Sequence, residues 1–364
     1  MHLGITSLGM ISSVGRDVVT SCASIRAGIS RPSEIGYFEM LDYDLDELTP
    51  LIGHPILAYT EGFNIVGLWI RVAVGCIEDL ICYGALPQKS DTTFWEKTGV
   101  IAVTPVINDD RFDSDADLDL VKESYLYRLF DFLDFPVLRN NLDVVCMDHY
   151  GTIEAIKQAA QKISESYLDR VIVLAVDSYL DPLTLEWLSL HKRLKTSDNP
   201  VGLAPGEAGA CFMLESLESS SNRKAHVEGV VKGFAEGLES NHYFTKEVNS
   251  GFGLSNAIND TLSMASLKAP FIGDIISDLN GENWKTRELS CARLRVGRQI
   301  SPASRLSLPC ETTGETGTAS GAVAVCVAVR SFVRNYSMSD DVLITSSSDY
   351  GQVGAACLSR SGED

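Results

Sequence analysis

The chain has 364 residues, of which 45% are hydrophobic and 22% are charged, with 49 acidic against 30 basic side chains. These proportions are ordinary for a folded globular protein, and they exclude intrinsic disorder, collagen-like repeats and a disulfide-dense scaffold. The formal net charge of −19 repels phosphate backbones, and no basic stretch offsets it. Nucleic acid is therefore excluded as a partner.

Two further classes of protein are not expected. No apolar run reaches the roughly 18 residues that a membrane-spanning helix needs, and the first residues do not form a charged segment followed by an apolar core. The sequence thus predicts a cytoplasmic protein that does not bind membranes.

The nine cysteines form no CxxC pair and lie in apolar surroundings, so most are predicted to be reduced core thiols. No metal and no cofactor are predicted.

Short β-branched runs alternate along the chain with longer segments of helical periodicity. The predicted strands are 3–11, 98–107, 143–147, 170–176, 209–216, 226–237, 270–279 and 341–348. The predicted helices are 16–28, 62–83, 152–167, 182–190, 254–267 and 319–333. This alternation is typical of an α/β protein whose strands are buried on both faces.

A polar, Ser-rich connector at 216–226 predicts a division into an N-terminal half, 1–215, and a C-terminal half, 227–364. The first half contains an insertion, 108–135, in which a run of carboxylates precedes an aromatic-rich segment. Two interpretations stay open. The insertion is either a solvated cap packed onto the domain by an amphipathic helix, or a surface on which aromatic anchors and charges dock a protein partner.

Several segments, taken in order, resemble the β-ketoacyl synthases of the thiolase superfamily. They include LGITSLGMISSVG at the first strand, HYGTIEAIKQAAQKI at the family's nucleophile helix and SSSDYGQVGAA at its terminal glycine-rich turn. The matching segments are 3–32, 149–163, 170–188, 202–216, 277–288, 311–322 and 346–356. The resemblance implies a thiolase-like five-layer α/β/α/β/α sandwich of two similar halves, with mixed, mostly parallel sheets.

The residues that carry out condensation in this family are replaced here. The family uses a cysteine thiolate at a helix start, two histidines and a lysine. In register, the nucleophile position is His149, the second histidine position is Glu315, and the lysine position is Cys310. The first histidine falls within Ser277–Asn280, where no histidine occurs. A slip of three residues would bring in Cys146, but that residue lies inside a predicted strand. The resemblance therefore implies a member that lacks the Cys-His-His triad.

The candidate catalytic residues are His149, Glu315 and Asp278, expected to meet in one pocket. A histidine with a carboxylate behind it can act as a general base, and the three could also bind a metal, a less favoured interpretation. They could equally form a satisfied hydrogen-bonded cluster that only supports the core. The residues expected to line the same pocket are Cys310, Asn280, Tyr350 and Gly151.

Three functions remain open at this stage. The chain is a non-condensing adaptor, scaffold or partner subunit; an acyltransferase or hydrolase that uses His149 as base; or a chain-length-factor-like subunit beside an active synthase. The resemblance implies a homodimer formed through an edge strand, with 143–147 and 170–176 supplying the apolar interface. A heterodimer with an active synthase is the alternative, and an acyl carrier protein is a further candidate partner. A pocket that reaches His149 would favour the enzyme.

Overall fold

The structure, a computed structural model, describes residues 2–42, 45–165, 167–245 and 247–362. Its strands are β1 (Leu3–Ser12), β2 (Ser33–Asp42), β3 (Glu47–Gly53), β4 (Thr98–Thr104), β5 (Leu142–Cys146), β6 (Arg170–Ser178), β7 (Glu207–Ser216), β8 (Gly229–Leu238), β9 (Asp274–Ser277), β10 (Arg305–Ser307), β11 (Asp341–Ser347) and β12 (Gln352–Arg360). Its α-helices are α1 (Val18–Ala27), α2 (Ile65–Tyr83), α3 (Thr92–Glu96), α4 (Asp109–Phe112), α5 (Leu118–Val121), α6 (Arg128–Leu133), α7 (Gly151–Ser164), α8 (Pro182–Leu190), α9 (Leu217–Asn222), α10 (Phe252–Met264), α11 (Asn283–Val296), α12 (Cys310–Thr313) and α13 (Ser320–Val333).

Ten of these strands form one mixed sheet in the order β10-β9-β11-β12-β8-β1-β7-β6-β4-β5. β4 runs parallel to β5 and β6, and β9 runs parallel to β10 and β11. β7 is antiparallel to β1 and β6, and β12 is antiparallel to β8 and β11. The two five-stranded halves are joined where Leu3–Ile5 of β1 pairs with Gly229–Val231 of β8.

The helices complete a layered sandwich. α7 and α13 lie between the half-sheets, since α7 contacts β4, β6 and β8 while α13 contacts β7, β11 and β12. α2 covers the outer face of β1, β6 and β7, and α10, with α11 packed on it, covers β8 and β12. The predicted α/β/α/β/α fold class is thereby confirmed.

The central helix α13 is apolar around most of its circumference, as expected for a helix inside a core. Its buried stretch runs from Gly321 to Phe332. A side chain at Gly321 would place its Cβ 2.7 Å from atoms of Thr152 on α7. The glycine therefore allows the two central helices to approach closely, and this approach brings their N-terminal ends together.

Some elements differ from the sequence-based prediction. The hairpin β2–β3 and the helix α11 were not predicted, and the segment resembling a terminal turn, 346–356, runs into β12. The expected role of 170–176 in an edge interface is wrong, because β6 is an interior strand between β4 and β7. The connector 216–226 contains α9, and the division into two domains stays a prediction. Within the described ranges, no helix is long and apolar enough to cross a bilayer.

The insertion 108–135 consists of α4, α5, a π-helical turn at Lys122–Tyr127, and α6. Tyr125 and Phe130 are buried in the cluster beneath α2, and Phe135 packs against Trp95 with ring centroids 4.5 Å apart. Phe132, by contrast, is 71% exposed. Most of the aromatic side chains considered as docking anchors therefore hold the insertion onto the domain, which favours the cap interpretation.

Candidate functional site

A tight turn places His149 at the entrance to the central helix α7. Asp148–Tyr150 forms a 3-10 turn directly before Gly151, and Asp148 has a φ of 48°. A non-glycine residue in this left-handed region is uncommon and is held there by its surroundings. Gly151 leaves no room for a side chain, because its Cβ would lie 2.3 Å from Val103 Cγ1. Both features fix His149 in the buried layer.

His149 and Glu315 form a buried ion pair. His149 Nε2 lies 2.9 Å from Glu315 Oε1, and the two side chains are 1% and 2% exposed. The same carboxylate oxygen accepts the backbone N–H of Gly317 at 2.7 Å, and Oε2 accepts the amide of Asn280 at 2.6 Å. Glu315 thus has hydrogen-bond partners on both oxygens, which stabilises its charged form.

The pKa values of this pair shift in opposite directions. Burial opposes the charged form of Glu315, but His149, Lys285 and Asn280 outweigh it and lower the pKa of Glu315 well below its usual range. Burial and Lys285 oppose the charged form of His149, but Glu315 and Asp278 raise its pKa above the usual value. The pair therefore favours an imidazolium beside a carboxylate.

Asp278 does not join this pair directly. Its carboxylate binds Lys285 Nζ at 2.9 Å and accepts the backbone N–H of Ser347 at 2.8 Å. A hydrogen-bonded link to His149 runs through Ser346, whose hydroxyl lies 3.3 Å from the carboxylate and donates to the His149 carbonyl at 2.7 Å. The three predicted residues thus lie in one region, where Glu315 contacts the imidazole directly and Asp278 acts on it through its charge.

A second buried cation, Arg193, lies beside this cluster. Its guanidinium donates to both oxygens of Glu282, at 2.8 and 2.7 Å, and to Asp349 Oδ1 at 3.1 Å. The amide of Asn280 donates to Glu282 at 2.9 Å and to Glu315 as well, so it joins the two groups of charges. Arg193 is 1% exposed. Arg193, Lys285, Glu282 and Asp349 were not predicted from the sequence.

A third buried cation comes from the insertion. Arg111 on α4 donates to Asp177 Oδ1 at 2.8 Å and to the hydroxyl of Thr184 at 3.1 Å. Asp177, at the end of β6, also accepts the backbone N–H of Thr318 at 3.1 Å, next to the start of α13. The insertion therefore contributes a charge to the same end of the central layer.

The remaining predicted pocket residues are engaged in local contacts. The Cys310 thiol donates to the Leu279 carbonyl at 2.7 Å, and burial raises its pKa. The Tyr350 hydroxyl accepts the side-chain amide of Asn108 at 2.6 Å, and its ring stacks on Phe244 with centroids 5.0 Å apart. Cys146, the last residue of β5, lies 3.1 Å from the Thr104 hydroxyl, and burial raises its pKa too. These thiols favour the neutral form, which is a poor nucleophile.

Two buried polar groups at the site are less well satisfied. His149 Nδ1 has no hydrogen-bond partner in the described part of the chain. Burial raises the pKa of Asp148 to about 6, although its carboxylate accepts the backbone N–H of Val106 at 3.1 Å. Within the described ranges, no group of three or more His, Cys, Asp or Glu side chains is arranged to hold a metal ion.

Solved structures with this architecture cover nearly the whole chain. The ishigamide ketosynthase/chain length factor matches with a TM-score of 0.79 and 18% identity, over 99% of each chain. A ketosynthase in complex with its type II polyketide acyl carrier protein and bound to the hexaketide matches with a TM-score of 0.78 and 15% identity, again over 99% of each chain. The chain has the ketosynthase fold.

Curated relatives of this ketosynthase-like chain match over a shorter stretch. A putative mitochondrial 3-oxoacyl-[acyl-carrier-protein] synthase of Schizosaccharomyces pombe is 31% identical over 149 residues, which is 37% of this chain and 34% of the relative. A putative polyketide β-ketoacyl synthase 1 of Streptomyces virginiae is 25% identical over 151 residues, or 38% of this chain and 36% of the relative. The matches thus span about a third of these relatives, and no family model matches. The resemblance to ketosynthases is confirmed, while the replacement of the triad rests on the register proposed above.

Proposed function

We propose that this ketosynthase-like chain is a non-condensing protein that serves as a partner subunit or adaptor. The observation that carries the proposal is the pair of His149 and Glu315. Both stand at positions that the resemblance assigns to the catalytic triad, both are at most 2% exposed, and they bond to each other at 2.9 Å. An acyl thioester would need an accessible nucleophile at this place, and these side chains offer none.

The surrounding charges support the same proposal. Lys285 and Arg193 are each 1% exposed and are paired with carboxylates, and Arg111 is paired with Asp177. A buried charge that loses its partner is costly, typically by about 3–5 kcal/mol. Opening a channel for a pantetheine arm would separate several such pairs. The cluster is therefore better suited to holding the two halves together than to admitting a substrate.

Acylation tests the non-condensing character. The purified chain would be incubated with an octanoyl acyl carrier protein, with an active ketosynthase in parallel as the positive control, and each would be analysed by intact mass. We expect acylation of the control and no stable adduct on this chain. A stoichiometric acyl adduct on any of its cysteines would overturn the proposal.

The partner-subunit role rests on the free edge of the sheet. β5 is the last strand on its side, and an edge strand presents unpaired backbone groups to another chain. Leu138 and Met147, which flank this strand, are 50% and 37% exposed. We propose that a second copy, or an active synthase, associates along β5. The solved ketosynthase/chain length factor that matches this chain supports the second form.

Sedimentation velocity tests this association. The chain alone is expected to sediment as a dimer, and the double variant Leu138→Lys/Met147→Lys as a monomer, because lysines at an edge oppose pairing. The control is Leu294→Lys, which changes a leucine that is 81% exposed on α11. If the chain is monomeric alone, native mass spectrometry of a mixture with an active synthase must show a heterodimer. A monomer under both conditions would contradict the role.

One observation favours a second candidate function, a hydrolase or acyltransferase with His149 as general base. A histidine paired with a carboxylate and with its other nitrogen unpartnered resembles an oriented base, and His149 has this arrangement within the described residues. The raised pKa weighs against it, because an imidazolium cannot accept a proton. Hydrolysis of an octanoyl thioester by the wild type, abolished in His149→Gln, would favour the enzyme over the partner subunit.

A further inference from the structure

A groove of about 580 Å³ lies between the length of α1 and the C-terminal end of α13. The stretch of α13 from Ser320 to Arg330 separates it from the helix start near Glu315 by roughly 15 Å, at about 1.5 Å of rise per residue. It is therefore distinct from the cluster around His149. The residues that line it are Val19, Cys22, Ala23, Arg26, Ala27, Arg330, Arg334 and Tyr336.

Three of the lining residues are arginines, although the chain carries a net charge of −19. In the described part of the chain, none of Arg26, Arg330 and Arg334 forms a salt bridge with a carboxylate. By contrast, Arg305 nearby is paired with Asp274 at 2.6 Å. Three cations that lack a carboxylate partner among the described residues thus share one groove.

Arg330 is the most confined of the three, since it is only 6% exposed. Its Nη1 donates to the Tyr83 hydroxyl at 2.6 Å, and that hydroxyl donates to Glu228 at 2.6 Å. Its Nε has no partner within the described ranges. A buried guanidinium that bonds only to a neutral hydroxyl, and that has one N–H without an acceptor, lowers the stability of the folded state. A bound anion would offset that cost.

The other groups give the groove apolar as well as charged walls. Arg26 stacks on the ring of Tyr336, 4.2 Å from its centroid, which holds the guanidinium in place. Arg334 follows the last turn of α13 and is exposed. Burial raises the pKa of Cys22 to about 12, so the thiol is a neutral part of the wall that α1 contributes, together with Val19.

We propose that this groove binds an amphiphilic anion, with its phosphate or carboxylate head held by Arg26, Arg330 and Arg334 and its short alkyl part against the apolar wall at Val19 and Cys22. Guanidinium groups form paired, charge-assisted hydrogen bonds with such heads. The apolar walls add affinity for an alkyl group. This site is independent of the function proposed for the chain as a whole.

A simpler interpretation of these arginines is that they interact with the dipoles of the helices they end. That interpretation predicts a small loss of stability on substitution and no ligand. Binding and stability must therefore be measured separately on the same variants.

Isothermal titration of the full chain with hexyl phosphate, hexanoate and inorganic phosphate tests the proposal. We expect one site for at least one alkyl probe, at least about 10-fold tighter than inorganic phosphate because of the buried alkyl group. Arg26→Ala/Arg334→Ala should weaken that binding about 10-fold or more. The preference between hexyl phosphate and hexanoate identifies the head group.

The matched control is Arg287→Ala/Arg298→Ala, which removes the same charge from exposed positions outside the groove and should leave the affinity unchanged. Arg330→Lys keeps the buried charge and should weaken binding less than Arg330→Met. If Arg330→Met does not fold, the binding measured with Arg26→Ala/Arg334→Ala still tests the proposal. No saturable binding of either alkyl probe to the wild type would overturn the proposal. Equal affinity in wild type and Arg26→Ala/Arg334→Ala would also overturn it, as would binding of both alkyl probes no tighter than that of inorganic phosphate.

Discussion

His149 Nε2 and Glu315 Oε1, 166 residues apart in the chain, lie 2.9 Å from each other in the buried helical layer. His149 precedes α7, which belongs to the first half, and Glu315 precedes α13, which belongs to the second. The hydrogen bond therefore joins the two halves where the starts of their central helices meet. The contact therefore supports the packing of the two central helices against each other.

Breaking this contact should destabilise the protein markedly. Glu315→Gln leaves an imidazolium without its carboxylate, and we expect the free energy of unfolding to fall by about 3 kcal/mol, as for other buried pairs that lose one partner. Urea unfolding measures the change. The control is Asp131→Asn, which breaks an ion pair between Arg139, 62% exposed, and Asp131, 64% exposed. Because this pair is on the surface, its loss should lower the free energy of unfolding by less than about 1 kcal/mol. Equal effects of the two substitutions would contradict a structural role for the buried pair.

The elements that could be predicted from the sequence are those with strong apolar patterns. The predicted helix 182–190 has the bounds of α8, where Pro182 follows the N-cap Asp181. The helix α11 was missed because its sequence is largely polar and two of its buried side chains are Lys285 and Glu288. The hairpin β2–β3 was missed because a register shift between Ile35 and Glu39 interrupts the alternation that indicates a strand.

The site was predicted only in part, for a physical reason. The resemblance brought His149 and Glu315 together, and the structure shows them bonded. The ion pairs around them join residues that are far apart in sequence, such as Arg193 and Asp349, 156 residues apart, and no local spacing indicates such a pair. Asp278 acts on His149 through its charge, but its carboxylate is also paired with Lys285, a partner that the sequence did not indicate.

Placing a cysteine at the helix start should not give the chain condensing activity. In His149→Cys, the Glu315 carboxylate would face the new thiol and raise its pKa, because like charges disfavour the thiolate. We expect no acylation by an octanoyl thioester and slow alkylation by iodoacetamide at neutral pH, both followed by intact mass. His149→Cys/Glu315→His, which replaces the carboxylate with an imidazole, should react faster with iodoacetamide. Rapid acylation of the single variant would mean that Glu315 does not control the charge at this position.

The insertion should depend on its buried aromatic side chains for attachment to the domain. Phe130 is 6% exposed and Phe132 is 71% exposed, so the two neighbouring phenylalanines form a matched pair. Phe130→Ala should lower the free energy of unfolding by about 3 kcal/mol, and Phe132→Ala by less than about 0.5 kcal/mol. Both are measured by urea unfolding. A larger effect of Phe132→Ala would mean that the exposed face makes contacts of its own and would revive the docking interpretation.

The stability of the protein should fall as the pH rises from about 5 to 8. Burial raises the pKa of Asp148 to about 6 and that of Glu288 to about 7, whereas such carboxyl groups in an unfolded chain titrate near about 4. Between these values the folded state binds more protons than the unfolded state, so raising the pH favours unfolding. The raised pKa of His149 has the same sign, because its contribution is present below the unfolded value and is lost as the pH passes the folded one.

The measurement is Tm against pH for the wild type and two variants. Asp148→Asn should flatten the decline, because it removes a carboxyl group that resists ionisation, and asparagine tolerates the left-handed conformation at this position. Asp143→Asn is the control. Although burial opposes its ionisation, Lys122 and Lys162 lower the pKa of Asp143, so it is ionised in both states above about pH 5 and its loss should leave the slope unchanged. A Tm that rises from pH 6 to 8 in the wild type would contradict the raised pKa values of the buried carboxyl groups. An unchanged slope in Asp148→Asn would contradict the raised pKa of Asp148.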